Sequence, residues 1–252
     1  MRMIFSLSIV FILFFSGTNP KGTTIRDRFR PPAGYLSDSA KTGSFAGYLV
    51  HLPLKKEGSK VLYYDGTSKD KLNVYCGVVN LPIGHKDLHQ CADAVMRLRG
   101  EYLFQNKQFS DIHFNFLSDG KPRYFQTFAK GKTDYPAFWK YMEYVFQYAN
   151  TASLKRELKK VDDIRQIQIG DVFITTGSPY GHAEIVVDKA SDPKTGKSIF
   201  LLAQSYMPAQ EIQILNNPSN ANLSPWYEVN EQAILTPEWE FQTGDLYRFK
   251  EK

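Results

Sequence analysis

The chain has 252 residues, of which 42% are hydrophobic and 14% aromatic, with a formal net charge of +5. This supplies one sizeable core and a mildly basic surface suited to anionic surroundings such as a cell wall or outer leaflet. It does not point to nucleic acid, because no Lys/Arg block is interleaved with stacking aromatics and no nucleic-acid motif occurs.

The N-terminus predicts export. Arg2 is the only charge before an apolar run from Ile4 to Phe15, and Ser16, Gly17 and Thr18 follow as small residues for cleavage. The run is shorter than the roughly 20 residues a membrane span needs, so residues 1–18 read as a signal peptide rather than an anchor. No Cys follows to take a lipid. Removing them takes away Arg2 alone and leaves a net charge of 5 − 1 = +4. The mature chain is then periplasmic or extracellular, with no stable membrane span, and is expected to be a monomer.

Residues 19–43 are rich in Gly, Pro, Ser, Thr and charge and read as a linker or N-terminal arm. Residues 44–252 read as a single domain. Its first part has strand-like runs in S-F-A-G-Y-L-V-H-L-P-L, K-V-L-Y-Y and N-V-Y-C-G-V-V. A helix is expected from Asp87 as N-cap, with Gln90 three residues on. Leu88, Cys91, Val95, Leu98 and Tyr102 form its buried face, and Gly100 weakens its end. Residues 111–128 look extended. A second helix starts at Asp134 with Pro136 in its first turn, and Phe138, Met142, Val145 and Ala149 line its inner side. A short charged helix follows in S-L-K-R-E-L-K-K-V. Strands are then expected at Asp171–Thr175, Ala183–Val187 and Ile199–Gln204, the last two as a hairpin, and G-D-L-Y-R-F closes the chain as another. Helices followed by antiparallel strands make an α+β domain.

Chemistry centres on two cysteines, Cys76 and Cys91. In an exported protein they form either one disulfide or, for one of them, a catalytic thiol with a partner His. Cys91 lies within about a turn of a helix start, where free N–H groups favour an anion. His182 opens the strand G-H-A-E-I-V-V-D, close to solvent at a sheet edge. Gln204 ends the next strand, where pairing brings it beside His182 to accept from one ring nitrogen. Asp188 and Glu184 are rivals for that orienting role, Glu184 sharing the face of His182 but lying roughly 7 Å along the strand. His85 and His89, four apart, are a weaker pair of metal ligands with no third in view. No G-x-S-x-G, H-E-x-x-H, Walker or G-x-G-x-x-G string occurs, so no cofactor or metal is expected. Trp226 and Trp239 sit in loops as packing residues, with a substrate groove as the other reading.

This order of elements, Cys91 on a helix, Gly170-Asp171 opening a strand, His182 opening the next and Gln204 ending a third, resembles the papain-like fold of the NlpC and CHAP type. That resemblance implies helices packed on an antiparallel sheet and a cysteine hydrolase or acyltransferase acting on an amide or ester. Cys91 would then attack, His182 serve as base and acid, and Gln204 orient the ring. A cell-envelope polymer or peptide is the implied substrate, with peptidoglycan stem peptides as a candidate. The alternative is a non-catalytic envelope binding protein with a Cys76–Cys91 disulfide. The strings D-L-H-Q-C-A-D-A-V-M-R-L-R-G-E-Y-L, I-Q-I-G-D-V-F-I, G-H-A-E-I-V-V-D, L-L-A-Q-S-Y-M-P-A-Q-E-I, S-P-W-Y and T-P-E-W are similar to an uncharacterised bacterial family, domain of unknown function 4846. In its pattern an apolar residue stands at the position of Glu184 and Cys76 has no counterpart, which implies that a Cys76–Cys91 bridge is not required.

Overall fold

The computed structural model describes residues 23–71, 73–177 and 180–250. The export signal expected at residues 1–18 lies outside the described residues. From Thr23 onward the arm lies against the main sheet. A single turn, Ile25–Arg28 (α1), is capped by Thr24 and buries Ile25. The Arg26 guanidinium holds the buried Asp188 carboxylate, and Leu36–Ser37 (β1) pairs with Ser191 and Ala190.

The S-F-A-G-Y-L-V run, expected as a strand, is a helix, Phe45–Val50 (α2). A short apolar run fits either element, and its cap decides. The Ser44 hydroxyl accepts from the Gly47 N–H at 3.0 Å. A Cβ on Gly47 would stand 2.3 Å from the Lys41 carbonyl oxygen, so this entry into the helix needs glycine. K-V-L-Y-Y forms only isolated bridges, Leu62 with Ser68 and Tyr63 with Gln210. The next strand, Tyr75–Val78 (β2), lies at one edge of the main sheet.

The central helix is Cys91–Gln105 (α3). Its N-cap is Gln90, so it starts three residues later than Asp87 predicts. Asp87 instead accepts from the Ala209 N–H at 2.7 Å, and the Gln90 N–H donates to Asp93 at 3.1 Å, the back-bond that fixes a helix start. Burial reaches well beyond one stripe, because the helix lies between the sheet and a second helix. Gly100 serves that contact: a Cβ there would stand 3.1 Å from Met142 Sδ and 3.3 Å from Phe138.

Residues 111–128 are only partly extended. His113–Asn115 (β3) and Pro122–Tyr124 (β4) form a small hairpin, but Phe125–Phe128 (α4) is helical. Tyr135–Tyr148 (α5) is capped by the Asp134 carboxylate, which accepts from the Ala137 N–H at 2.9 Å. Thr151–Glu157 (α6), capped by Asn150, runs into Leu158–Lys160 (β5).

The C-terminal part builds the sheet from Val172–Thr175 (β6), His182–Ser191 (β7), Ser198–Gln204 (β8) and Gln213–Leu215 (β9). Tyr227–Glu228 (β10), Ile234–Leu235 (β11), Glu240–Phe241 (β12) and Leu246–Phe249 (β13) follow. The main sheet runs β2-β9-β8-β7-β6-β13-β5, with β1 on β7 and β10 on β8. Its pairings are antiparallel. The protein is therefore α+β, with a large antiparallel sheet and a few helices against it.

Side chains alternate across this sheet. Ala183, Ile185 and Val187 face the helices, packing with Val95 and Leu98 in one core. Val186 faces the other way, into a second core with Phe173, Phe200 and Phe241. Period two puts His182 and Glu184 on the face of Val186. The charged start of β7 thus lies on the side opposite its helix-facing neighbours. Among the described residues no helix is long and apolar enough to cross a membrane.

Candidate functional site

The N-terminus of α3 abuts the start of β7, and there Cys91 meets His182. Cys91 is the first residue of its helix, one of the positions whose N–H has no intrahelical acceptor. Its side chain adjoins the His182 imidazole and is among the groups that raise its pKa. His182 is buried at the mouth of β7, paired across the sheet with Thr175.

The other end of the imidazole is tied to the sheet. His182 Nε2 lies 2.7 Å from Gln204 Oε1. The direction of that bond follows from the rest of the amide: Gln204 Nε2 donates to Glu238 Oε2 at 2.8 Å. Gln204 therefore presents its oxygen to His182, which must donate from Nε2. With Nε2 committed, Nδ1 is the nitrogen left for the thiol.

Glu184 is also at hand. Its Oε1 stands 3.4 Å from His182 Nε2 and accepts from the Thr236 hydroxyl at 2.8 Å. The separation of roughly 7 Å between residues i and i+2 of a strand is spanned because both side chains are long and lean together. The register Ile185 with Ala203, carried one step further, sets Glu184 across from Gln204. Both acceptors thus converge on one ring nitrogen. Glu184 is fully buried, Phe173 is its neighbour on the other side, and its second oxygen has no partner among the described residues. Burial pushes its carboxyl above the usual range, with His182 and Thr236 pulling the other way. Burial alone would lower the His182 pKa. Hydrogen bonds to Cys91 and Glu184, with the charge of each, more than offset that and raise it to about 10.

Asp188, the other rival for the third position, lies elsewhere on β7. It is taken by Arg26 and by the Lys189 N–H. The bridge weighed from the two cysteines is absent. Both are free, and Cys76 sits in β2 with its thiol toward the Ile214 carbonyl at 3.7 Å. Burial pushes that thiol up to about 12. His85 and His89 both precede α3, and among the described residues no group of three or more His, Cys, Asp or Glu is placed to hold a metal. Of the two loop tryptophans, Trp226 is buried in the core. Trp239 stands over the His182 ring, with centroids 5.1 Å apart, and Tyr206 flanks it at 4.9 Å.

Sequence reasoning passed over the charged groups behind Gln204. Glu238 accepts from Lys69 Nζ at 2.6 Å and from Lys71 Nζ at 3.2 Å. Burial favours its neutral form, but the two lysines prevail and hold the carboxyl below its ordinary value. Lys69 is itself buried and reaches Gln210 Oε1 at 2.9 Å. The string T-P-E-W hinted at Glu238 and Thr236 only by lying beside a tryptophan. Nothing local marks Lys69 as buried.

A thiol at a helix start, a histidine tied to the sheet through Nε2, and a carboxamide fixed by an ion pair define an α+β protein with a buried Cys–His–Gln cluster at the end of an antiparallel sheet. The model of a family described as domain of unknown function (4846) matches residues 25–248. The chain belongs to that family. No curated protein and no solved structure matches it.

Proposed function

We propose that this chain is an exported cysteine hydrolase or acyltransferase of papain-like, NlpC/CHAP type, acting on an amide or ester in the cell envelope. One observation carries the reading: Cys91, at the first position of α3, adjoins a His182 whose Nε2 is held by Gln204. A thiol is weak as a nucleophile until a base takes its proton, and a base works when its ring is fixed. His182 takes the proton from Cys91, and the thiolate attacks the carbonyl carbon. Backbone N–H groups at the start of α3 receive the oxyanion. His182 then gives its proton to the departing amine or alcohol as the bond to it breaks. Water, or an acceptor amine or alcohol, opens the thioester while His182 takes back a proton. Peptidoglycan stem peptides suit the mildly basic chain and the export signal expected at residues 1–18.

The test uses the native protein. Iodoacetamide near pH 7 should modify Cys91 well before Cys76, whose thiol burial pushes up to about 12. Cys91→Ala should abolish release of peptide from envelope fractions and leave the circular dichroism spectrum unchanged. A Cys91 that reacts no faster than Cys76, or a Cys91→Ala variant that keeps full turnover, overturns the reading.

A further inference from the structure

Lys69 lies in the loop before β2, yet its ammonium ends behind the His182 cluster. The backbone is pinned by a bond from its N–H to the Val61 carbonyl at 2.8 Å, and the residue is buried. Nζ reaches Glu238 Oε2 at 2.6 Å, Gln210 Oε1 at 2.9 Å and Gln213 Oε1 at 3.4 Å. Both glutamines turn their oxygens to it because their amide nitrogens are engaged elsewhere, Gln213 with Gln210 and Gln210 with the Pro208 carbonyl. These acceptors match the three N–H groups of an ammonium, whereas a neutral amine has only two. The Tyr206 ring, which flanks His182, lies 5.8 Å from the same Nζ.

We infer that Lys69 is a positioning residue: its charge keeps Glu238 ionised, and this decides which end of the Gln204 carboxamide faces His182. The inference rests on the hydrolase reading only for its effect on turnover. An ionised carboxylate accepts and does not donate, so Gln204 turns its Nε2 to Glu238 and its oxygen to the ring. A neutral Glu238 donates instead. The carboxamide then turns over, its N–H faces His182 Nε2, and that nitrogen has to give up its hydrogen. Nδ1 keeps the remaining one and can no longer take the Cys91 proton.

The two arrangements differ only in whether His182 or Glu238 holds one proton, so pH does not choose between them. The charges around Glu238 do. Its side chain is 6% exposed, and burial by itself favours the neutral acid; Lys69 is the largest of the influences that oppose this. Lys71 cannot take its place. It meets the other oxygen at 3.2 Å from a side chain that is 59% exposed, where water screens its charge. Cys91 and Glu184, the ionisable groups that face the ring from α3 and β7, act on it in the same way whatever stands at position 69.

The test reads the ring directly. In two-bond proton–nitrogen NMR spectra near pH 7, wild type and Lys69→Arg should carry a hydrogen on His182 Nε2, and Lys69→Met should have largely lost it. In Lys69→Met kcat should fall roughly tenfold to a hundredfold with KM unchanged, and Lys69→Arg should keep most of the rate. An ion pair that only braces the fold would lower the unfolding midpoint and leave the ring as it is. Lys69→Gln, also neutral, should match Lys69→Met and serves if methionine does not fold. Wild type needs no substitution: nuclear Overhauser contacts should join the Gln204 amide protons to the Glu238 methylenes. A hydrogen retained on Nε2 in the neutral variants, or amide contacts to the His182 ring in wild type, overturns the inference. Loss of the ring hydrogen in a protein whose Cys91 does not react with iodoacetamide upholds the positioning and overturns the hydrolase. A reactive Cys91 with an unchanged ring in Lys69→Met does the reverse.

Discussion

Two buried histidines flank Cys91, and the structure gives them opposite states. His89, two residues before the helix, is fully buried, and so, within 1%, is His182. Burial pushes the His89 pKa down to about 3, and the charge of Arg97 adds to the push. Its Nδ1 reaches only the Gln210 carbonyl, at 3.3 Å, and the ring rests edge-on against Phe146. His182 suffers the same desolvation, yet Cys91 and Glu184 raise it to about 10. Burial thus does not decide the charge of a histidine here; the partners do. One ring is a neutral packing element, and the other is built to hold a proton next to a thiol.

The contrast can be broken first through stability. A histidine held neutral stabilises the fold fully above its unfolded pKa of ~6.5, and this is lost as pH falls toward its folded value of about 3. Unfolding free energy should fall by up to ~1.4 kcal/mol per pH unit across that window on account of His89. His89→Gln, compared with wild type by urea denaturation between pH 7 and 4, should show a shallower decline. Identical slopes would mean that His89 is charged in the folded protein. His182 works with the opposite sign. Its contribution is complete below ~6.5 and disappears as pH rises through about 10.

A smaller effect is expected at Glu184. Glu184→Gln keeps the shape and removes the charge, so the His182 ring should titrate closer to its ordinary value of ~6.5 in ring-proton NMR. The alkaline limit of any Cys91-dependent activity should move down with it. If the ring titrates as before, Cys91 alone sustains the proton and Glu184 is only a packing partner of Thr236.

The smallest effect belongs to Glu238, which touches His182 only through Gln204 and so acts as a positioning residue. Without it the carboxamide loses the acceptor that fixes its orientation. Glu238→Ala should lower kcat roughly threefold to tenfold with KM unchanged. Glu238→Gln, which still accepts from Gln204, should restore most of the rate. A loss in KM instead, or no rescue by Gln, would make Glu238 a structural ion-pair partner of Lys69.

How much of this was legible depends on how far each signal reaches along the chain. Asp134 and Pro136 announce α5 because capping is decided within four residues. The apolar runs of β6, β7 and β8, with the polar turn between the last two, announce a hairpin for the same reason. Ser44 would have announced α2 as well, had its cap been weighed against the apolar run that followed. The start of α3 was misplaced because two nearby side chains, Asp87 and Asp93, compete to organise it, and the outcome depends on Ala209, over a hundred residues away.

The sequence by itself determined an α+β chain and singled out Cys91, His182 and Gln204, since period-two alternation and helix starts are local properties of the backbone. Only the tertiary structure decided that Cys76 stays apart from Cys91, that Glu184 reaches the same ring nitrogen as Gln204, and that Asp188 belongs to Arg26. Those outcomes turn on side chains drawn from distant segments into one low-dielectric place. Nothing in the local pattern of residues records which of them will share it or what charge each will carry there.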